Sequence, residues 1–207
     1  MKRMRVLITA GPTHEPIDAV RYIGNRSSGQ MGAALAKASL AAGHQTTLIL
    51  GPVSISMPPA INRIDIETAA QMQSAVMEQF PAHDLLIMAA AVADFRPKSI
   101  SPDKLSRGGS LTIKCEPTPD IVAAAARQKR PDQRIIGFSL ESTGGVERAK
   151  EKLRRKGLDL IVYNPVETMD CPNISAVLLY ADGRSEPIPP MSKGEFAATL
   201  ISRVQTF

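Results

Sequence analysis

The sequence predicts an α/β protein, a three-layer Rossmann-like sandwich around a mostly parallel sheet that ends in a C-terminal antiparallel hairpin. Three observations predict it. Short apolar runs alternate with segments of helical period through most of the chain, the pattern of repeated strand–helix units. The run Asp84–Ala91 lacks polar alternation, as expected of a central parallel strand covered on both faces. The tail then changes character: Ala176–Tyr180 and Glu186–Ile188 flank the turn Ala181-Asp182-Gly183-Arg184, a hairpin signature.

The elements follow in order. Val6–Ala10 is a buried strand. A loop of about fifteen residues comes next, a length that inside a compact domain points to function. Ser27-Ser28-Gly29 opens an Ala-rich helix, Gly29–Ala42, closed by Gly43. Thr46–Leu50 is the second strand. Thr68–Phe80 is helical, with Ala69, Met72, Val76 and Phe80 at i, i+3/i+4 spacing. After the strand Asp84–Ala91 comes a polar loop, Asp94–Gly109, rich in Pro, Lys and Arg, then a short strand, Leu111–Lys114. Pro119–Gln128 is a helix with Pro near its first turn. Ile135–Leu140 is a strand, Val146–Lys156 a basic helix ending at Gly157, and Leu158–Tyr163 a strand. A last helix covers Lys193–Val204, beyond the hairpin. There is no repeat, linker or low-complexity tract, so residues 1–207 are expected to form one domain.

At 207 residues and 43% hydrophobic, the chain can bury one sizeable core. Its 2 cysteines, Cys115 and Cys171, are far apart and lack metal-ligand spacing, which suits a reducing cytosol and argues against a disulfide scaffold. No run of about 18 apolar residues occurs, and MKRMRVLITAG has no signal-peptide cleavage pattern, so a cytoplasmic protein without a membrane span is expected. The net charge of +5 is spread along the chain and only 4% of residues are aromatic. The stacking platforms that nucleic-acid binders use are therefore missing, and anionic small molecules are the better-fitting partners.

In open α/β sheets, ligands bind beyond the carboxyl ends of the strands where strand order reverses, which selects the loops after Ala10, Ala91, Leu140 and Tyr163. A dinucleotide fingerprint would put its glycines directly after the first strand; here they sit at the helix entrance. Ser27-Ser28-Gly29-Gln30-Met31-Gly32 can offer hydroxyls and free N–H groups to a phosphate, or can be an ordinary Ser cap. Asn25, just before it, is a turn residue or a chemical one. Ala89-Ala90-Ala91 either lets a base approach the backbone or packs under a helix. Asp94 holds a ribose hydroxyl or a metal-bound phosphate, or makes an Asx-turn. Lys104, with Arg107 and two glycines after it, sits on a mobile phosphate lid or a solvated loop. Lys152 and Lys156 share a helix face and meet phosphates together or end a solvated basic helix. His14, His44 and His83 lack metal spacing; His44, after the helix-ending Gly43, is expected at the surface. No nucleophile is assigned.

Together these pieces resemble one family along essentially the whole chain and in its order. TAGPT, EPID, VRYI, the Asn25 position, SSG, MG, AAAVAD, RP, a downstream Lys loop, PDIV, GF, K-x-x-x-K-G-LD and a late MSK are similar to the bacterial type of phosphopantothenoylcysteine synthetase. That family is commonly fused behind a flavin-dependent decarboxylase, and this chain begins where the synthetase half would begin. The resemblance implies a ligase that joins 4′-phosphopantothenate to L-cysteine on the way to coenzyme A. CTP activates the carboxylate as an acyl-cytidylate with loss of pyrophosphate, Mg²⁺ neutralises the triphosphate, and cysteine's amine displaces CMP. It further implies that Ala89, Ala90, Ala91, Asp94, Phe138, Pro119, Asp120, Ile121 and Val122 hold the cytidine end. Lys104, Lys152 and Lys156 would meet phosphates, Lys104 and Asn25 would be catalytic, and Gly11, Asn25, Ser27, Ser28 and Gly29 would bind phosphate or substrate. The family is dimeric, and the late hairpin, with two apolar faces to cover on its first strand, is the expected contact.

Four positions depart from the family pattern. Lys104-Leu105-Ser106-Arg107 stands where K-x-K-K is common, Thr118 replaces the Asn before PDIV, Gly24 replaces the Ser before Asn25, and Ser139-Leu140-Glu141-Ser142 replaces A-A-E-T. These leave open the choice of CTP over ATP and the effect of the thinned basic loop; the ligands of Mg²⁺ are not legible. Two other readings stay open: a non-catalytic nucleotide-binding module, for which the thinned loop argues, and an NAD(P)- or flavin-dependent oxidoreductase, for which the α/β pattern argues.

Overall fold

The computed structural model describes residues 3–141, 145–165 and 173–204; Ser142 and Cys171 lie outside them. In chain order the strands are β1 (Arg5–Ala10), β2 (His14–Pro16), β3 (Tyr22–Gly24), β4 (Gln45–Leu50), β5 (Asn62–Asp65) and β6 (Leu85–Met88). They continue as β7 (Phe95–Pro97), β8 (Cys115–Pro117), β9 (Arg134–Glu141), β10 (Leu160–Pro165), β11 (Asn173–Tyr180) and β12 (Ser185–Ser192). The helices are α1 (Gln30–Ala41), α2 (Ala69–Gln79), α3 (Ile121–Arg127), α4 (Gly145–Lys156) and α5 (Lys193–Val204).

Eight strands form one sheet in the order β12-β11-β10-β9-β6-β1-β4-β5. From β10 to β5 every pairing is parallel, and β11 and β12 extend the β10 edge antiparallel, as the sequence predicts. Alternate side chains enter two cores. Val6, Ile8, Leu48 and Leu50 pack with Leu35 of α1 and Phe196 and Leu200 of α5. Leu7, Ile49 and Leu86 pack on the other face with Met72 and Val76 of α2, Ala125 of α3 and Leu153 of α4. This is the three-layer sandwich. The chain leaves β1 through α1 on one face and reaches β6 through α2 on the other, so the two connections diverge between β1 and β6. That divergence opens a crevice at the carboxyl ends of these strands. Gly32 brings α1 against the crevice floor: a Cβ there would lie 2.2 Å from the Ala10 Cβ.

Local chemistry fixes the ends of the elements. Thr68 caps α2, accepting from the Gln71 N–H at 3.2 Å, while the Gln71 side chain accepts from the Thr68 N–H at 3.0 Å. β12 carries Pro187, Pro189 and Pro190 and lies at the sheet edge, where missing donors are tolerated and further strands are discouraged.

Several expectations are corrected. The long loop after β1 contains the β2–β3 hairpin, and β5 is a short, polar strand that alternation does not mark. The strand expected at Leu111–Lys114 is displaced to Cys115–Pro117, where Phe95–Pro97 supplies a partner, making a second small hairpin. Regular pairing of the apolar strand stops at Met88, with Ala89–Ala91 turning along the loop after β1. Pro119 precedes α3 instead of opening it, because Asp120 takes the cap. His44 is buried, its Nδ1 accepting from the Met4 N–H at 3.3 Å. The apolar faces of β11 are covered within the chain: Val177 and Leu179 join the core under α4, and Ala176 and Leu178 that under α5. That removes the uncovered-face argument for a subunit contact there.

Candidate active site

Two cavities open at the crevice. The smaller, about 220 Å³, is lined by Arg26, Ser27, Ser28, Gly29, Gln30 and Gly32 on one side and by Ala89, Phe138, Asn164 and Lys193 on the other. The larger, about 540 Å³, is lined by Asn25, Met88, Val92, Asp94, Asp120, Ile121, Val122, Gly137, Lys152 and Lys156. Arg26, Ala90, Ala91, Phe138 and Leu140 line both, so the cavities are halves of one cleft sharing a wall. The Phe138 ring is held edge-on to buried Phe196, with centroids 6.5 Å apart.

The entrance of α1 resolves one open alternative. Its N-cap is Gly29, in the left-handed conformation at φ 71°, and no side chain caps the helix; Ser27 Oγ instead accepts from the Gly29 N–H at 3.3 Å. An ordinary Ser cap is therefore excluded, and the first turn faces the smaller cavity.

Ala90 and Ala91 line the shared wall and Ala89 the smaller cavity, but their N–H groups do not face a ligand. They donate to Thr9 O at 3.2 Å, Thr9 Oγ1 at 3.3 Å and Gly11 O at 2.9 Å. Their contribution is closeness of approach. Asn25 is tied to the same stretch, its Nδ2 donating to Val92 O at 2.9 Å. Thr118, where the family has Asn, donates through Oγ1 to Ala93 O and through its N–H to Asp94 O at 3.0 Å, so it still pins the loop before Asp94.

In the larger cavity, Asp120 caps α3 through the Ala123 N–H at 3.2 Å and pairs with Lys156 at 3.1 Å. It orders the cavity wall and holds Lys156. Lys152 reaches Ser139 Oγ at 3.5 Å. Burial pushes the Lys152 ammonium below its usual pKa, and Lys156 adds to this against the pull of Glu141, Asp94 and Asp120. A phosphate arriving there would relieve both. The carboxylate of Asp94 makes no hydrogen bond or ion pair with the described residues, which leaves it available at the mouth.

Three candidates do not line the cleft. Gly11 is a turn residue at φ 78°, packed on Gly51. Pro119 precedes the Asp120 cap and lines neither cavity. Lys104 is exposed on its loop, which is stitched to the segment before Asn25: Ser101 N–H donates to Ile17 O at 3.0 Å and Leu105 N–H to Asp18 at 3.1 Å. Sequence reasoning missed Arg26, Asn164 and Lys193 as cleft residues; the Lys of the MSK motif was the available signal. It also missed Asp18, whose buried carboxylate organises both loops. Among the described residues no group of three or more His, Cys, Asp or Glu side chains could hold a metal ion, and no helix is long and apolar enough to cross a membrane.

The whole chain, residues 1–207, matches the family described as DNA/pantothenate metabolism flavoprotein C-terminal domain. It is 39% identical over 209 residues to the coenzyme A biosynthesis bifunctional protein CoaBC of Escherichia coli (strain K12), covering 97% of this chain and 51% of that protein. It is 41% identical over 208 residues to a cysteine/cysteine sulfinic acid decarboxylase of an unknown prokaryotic organism, covering 98% of this chain and 58% of that protein. The chain thus spans little more than half the length of these curated relatives. The crystal structure of the C-terminal domain of a CoaBC protein superposes with a TM-score of 0.86 at 34% identity, covering 98% of this chain and 94% of that one.

Proposed function

This chain belongs to the DNA/pantothenate metabolism flavoprotein C-terminal domain family, and from that membership we propose that it is a phosphopantothenate–cysteine ligase of coenzyme A biosynthesis. It joins 4′-phosphopantothenate and L-cysteine with CTP as co-substrate, within a single domain. The observation that carries this is the divided cleft. One half offers the Lys152–Lys156 pair and Asp94 to a nucleoside triphosphate, the other an uncapped helix end to a second anion, and both open on the Ala90–Ala91–Phe138 wall.

In this reading the acid's carboxylate oxygen attacks the α-phosphorus at the shared wall and pyrophosphate leaves, giving an acyl-cytidylate. Cysteine's amine then attacks the acyl carbon, CMP leaves, and the amine gives up a proton. Catalysis is positioning and charge stabilisation, in keeping with a cleft whose described residues include no nucleophile–base pair. Asn25, beside the wall, orients the acyl-cytidylate. Ala89, Ala90, Ala91, Phe138, Ile121 and Val122 shape the cytidine end; Lys152, Lys156 and Lys104 meet phosphates. Asp94 fits Mg²⁺ together with triphosphate oxygens, because that ion commonly takes one or two carboxylates and leaves its other positions to phosphate and water. Bound there, Mg²⁺ would offset triphosphate charge.

The protein works as a homodimer in the cytoplasm, where the exposed thiol of Cys115 stays reduced. With β11 covered, most exposed large apolar side chains of the described residues lie on the two small hairpins and their flanks, namely Val20, Tyr22, Phe95, Ile100 and Leu111, while Leu140 lines the cleft. Those hairpins form the subunit contact. Light scattering should give twice the chain mass, and Phe95→Glu should halve it.

Pyrophosphate release is the deciding assay, run with CTP and with ATP. Release that requires both 4′-phosphopantothenate and cysteine supports the ligase. CTP binding without turnover would leave a binding module, oxidation of reduced nicotinamide an oxidoreductase, and carbon dioxide from cysteine a decarboxylase.

A further inference from the structure

We propose that Lys193, assisted by Arg26, selects the phosphomonoester dianion of the acid substrate in the smaller cavity. The proposal rests on the ligase reading and concerns the phosphate at the far end of the acid, away from the nucleotide.

The two halves of the cleft differ in charge. The larger mixes Lys152 and Lys156 with Asp94 and Asp120. The smaller holds Lys193 and, among the described residues, no Asp or Glu, while Arg26 lies on the wall shared by both halves. Neither cation has a carboxylate partner among the described residues. Among the described residues Lys193 Nζ reaches only the neutral Gln30 Oε1, at 3.3 Å, which draws it across from α5 to the first residue of α1. An anion entering here would meet two positive charges that no carboxylate among the described residues neutralises.

The placement of Lys193 is also unfavourable for its own helix. It is the first residue of α5, where a cation opposes the helix dipole. The acidic residue of that turn does not compensate it. Glu195 Oε2 accepts from Ser192 N–H at 2.9 Å and Ser192 Oγ at 2.7 Å, while the Glu195 N–H donates to Ser192 Oγ at 3.2 Å. This reciprocal cap fixes the start of α5 and aims the next residue at the cavity. A local rule broken without a compensating contact marks a position kept for binding. A phosphate monoester carries about −1.5 to −2 charges at pH 7 and three acceptor oxygens, which two cationic side chains can share. The unphosphorylated acid would leave both cations unmatched.

Titration calorimetry of the full chain with 4′-phosphopantothenate, pantothenate and CTP tests this, alongside pyrophosphate release. The wild type should prefer the phosphorylated acid. Lys193→Gln should weaken 4′-phosphopantothenate about 10- to 100-fold with pantothenate and CTP affinities unchanged, and Lys193→Arg should restore most of the preference. Lys193→Gln that keeps the preference, or loses affinity for both acids equally, overturns the proposal and leaves the ligase reading intact. If Lys193→Gln also loses CTP binding, Arg26→Gln decides: a selective loss supports the proposal and an unchanged preference overturns it. A wild-type protein that releases no pyrophosphate with both substrates present refutes the ligase reading itself, and this proposal with it.

Discussion

The carboxylate of Asp18 accepts a 3.1 Å hydrogen bond from the N–H of Leu105, 87 positions further along the chain. It also accepts from the N–H groups of Val20 and Arg21, at 2.8 Å each, and from Arg21 Nε at 2.9 Å. The Arg21 guanidinium donates in turn to Leu105 O at 2.7 Å. One buried side chain therefore joins the loop that ends at Asn25 to the loop that carries Lys104. Burial alone would push its pKa up, but the donors outweigh it and hold Asp18 well below the usual carboxylate range.

Asp18→Asn is expected to lower the urea midpoint at pH 7, since an amide cannot accept on both atoms. A carboxylate with a depressed folded pKa stabilises the fold above its unfolded value, about 3.9, and loses that effect as pH falls toward the folded value. The gap between wild type and Asp18→Asn should therefore narrow from pH 7 to pH 3. A gap that stays constant would show that the charge on Asp18 is not the source.

Lys104→Gln is expected to leave the melting temperature nearly unchanged, because an exposed loop Lys contributes little to stability. Turnover should nevertheless fall about tenfold or more if its ammonium stabilises charge developing at the α-phosphate. With Arg107 where a K-x-K-K relative has its last Lys, the dependence on Lys104 should be strong. Pyrophosphate release near the wild-type rate would identify the loop as a solvated surface segment, and Arg107→Gln would then be tested in its place.

For Asn25→Asp, amide formation should drop about 10²–10³-fold while CTP affinity holds. The new carboxylate would repel the acyl-cytidylate phosphate and face the Val92 carbonyl that Asn25 now satisfies. Asn25→Ala separates the effects: it loses the tether without adding charge, so it should be the less impaired in cysteine-dependent turnover. Equal rates for the two variants would contradict the charge argument.

Lys152→Met should stabilise the free protein and weaken CTP, since a desolvated ammonium is costly until a phosphate meets it. Its folded pKa lies below the unfolded value, about 10.4, so between the two the unfolded chain binds more protons and stability rises with pH. CTP affinity should fall over that same alkaline window in the wild type and stay flat in Lys152→Met. Calorimetric titrations from pH 7 to pH 10 would reveal either pattern.

Element type and the broad address of the site were legible in the sequence because both are local. The run Leu85-Leu86-Ile87, the helical spacing of Ala69, Met72 and Val76 and the helix entrance at Gly29 are each specified within a few residues by periodicity and backbone freedom. What faces what was not legible, because it depends on partners far away in the chain. The N–H groups of Ala89–Ala91 are taken by the end of β1, the apolar faces of β11 by α4 and α5, and the ring of His44 by Met4. Lys193 meets Gln30 across 163 positions only because α5 packs beside α1 on one face of the sheet. Hydrophobic pattern decides which face of an element is buried; the sheet order decides which distant polar groups that burial brings within hydrogen-bond reach.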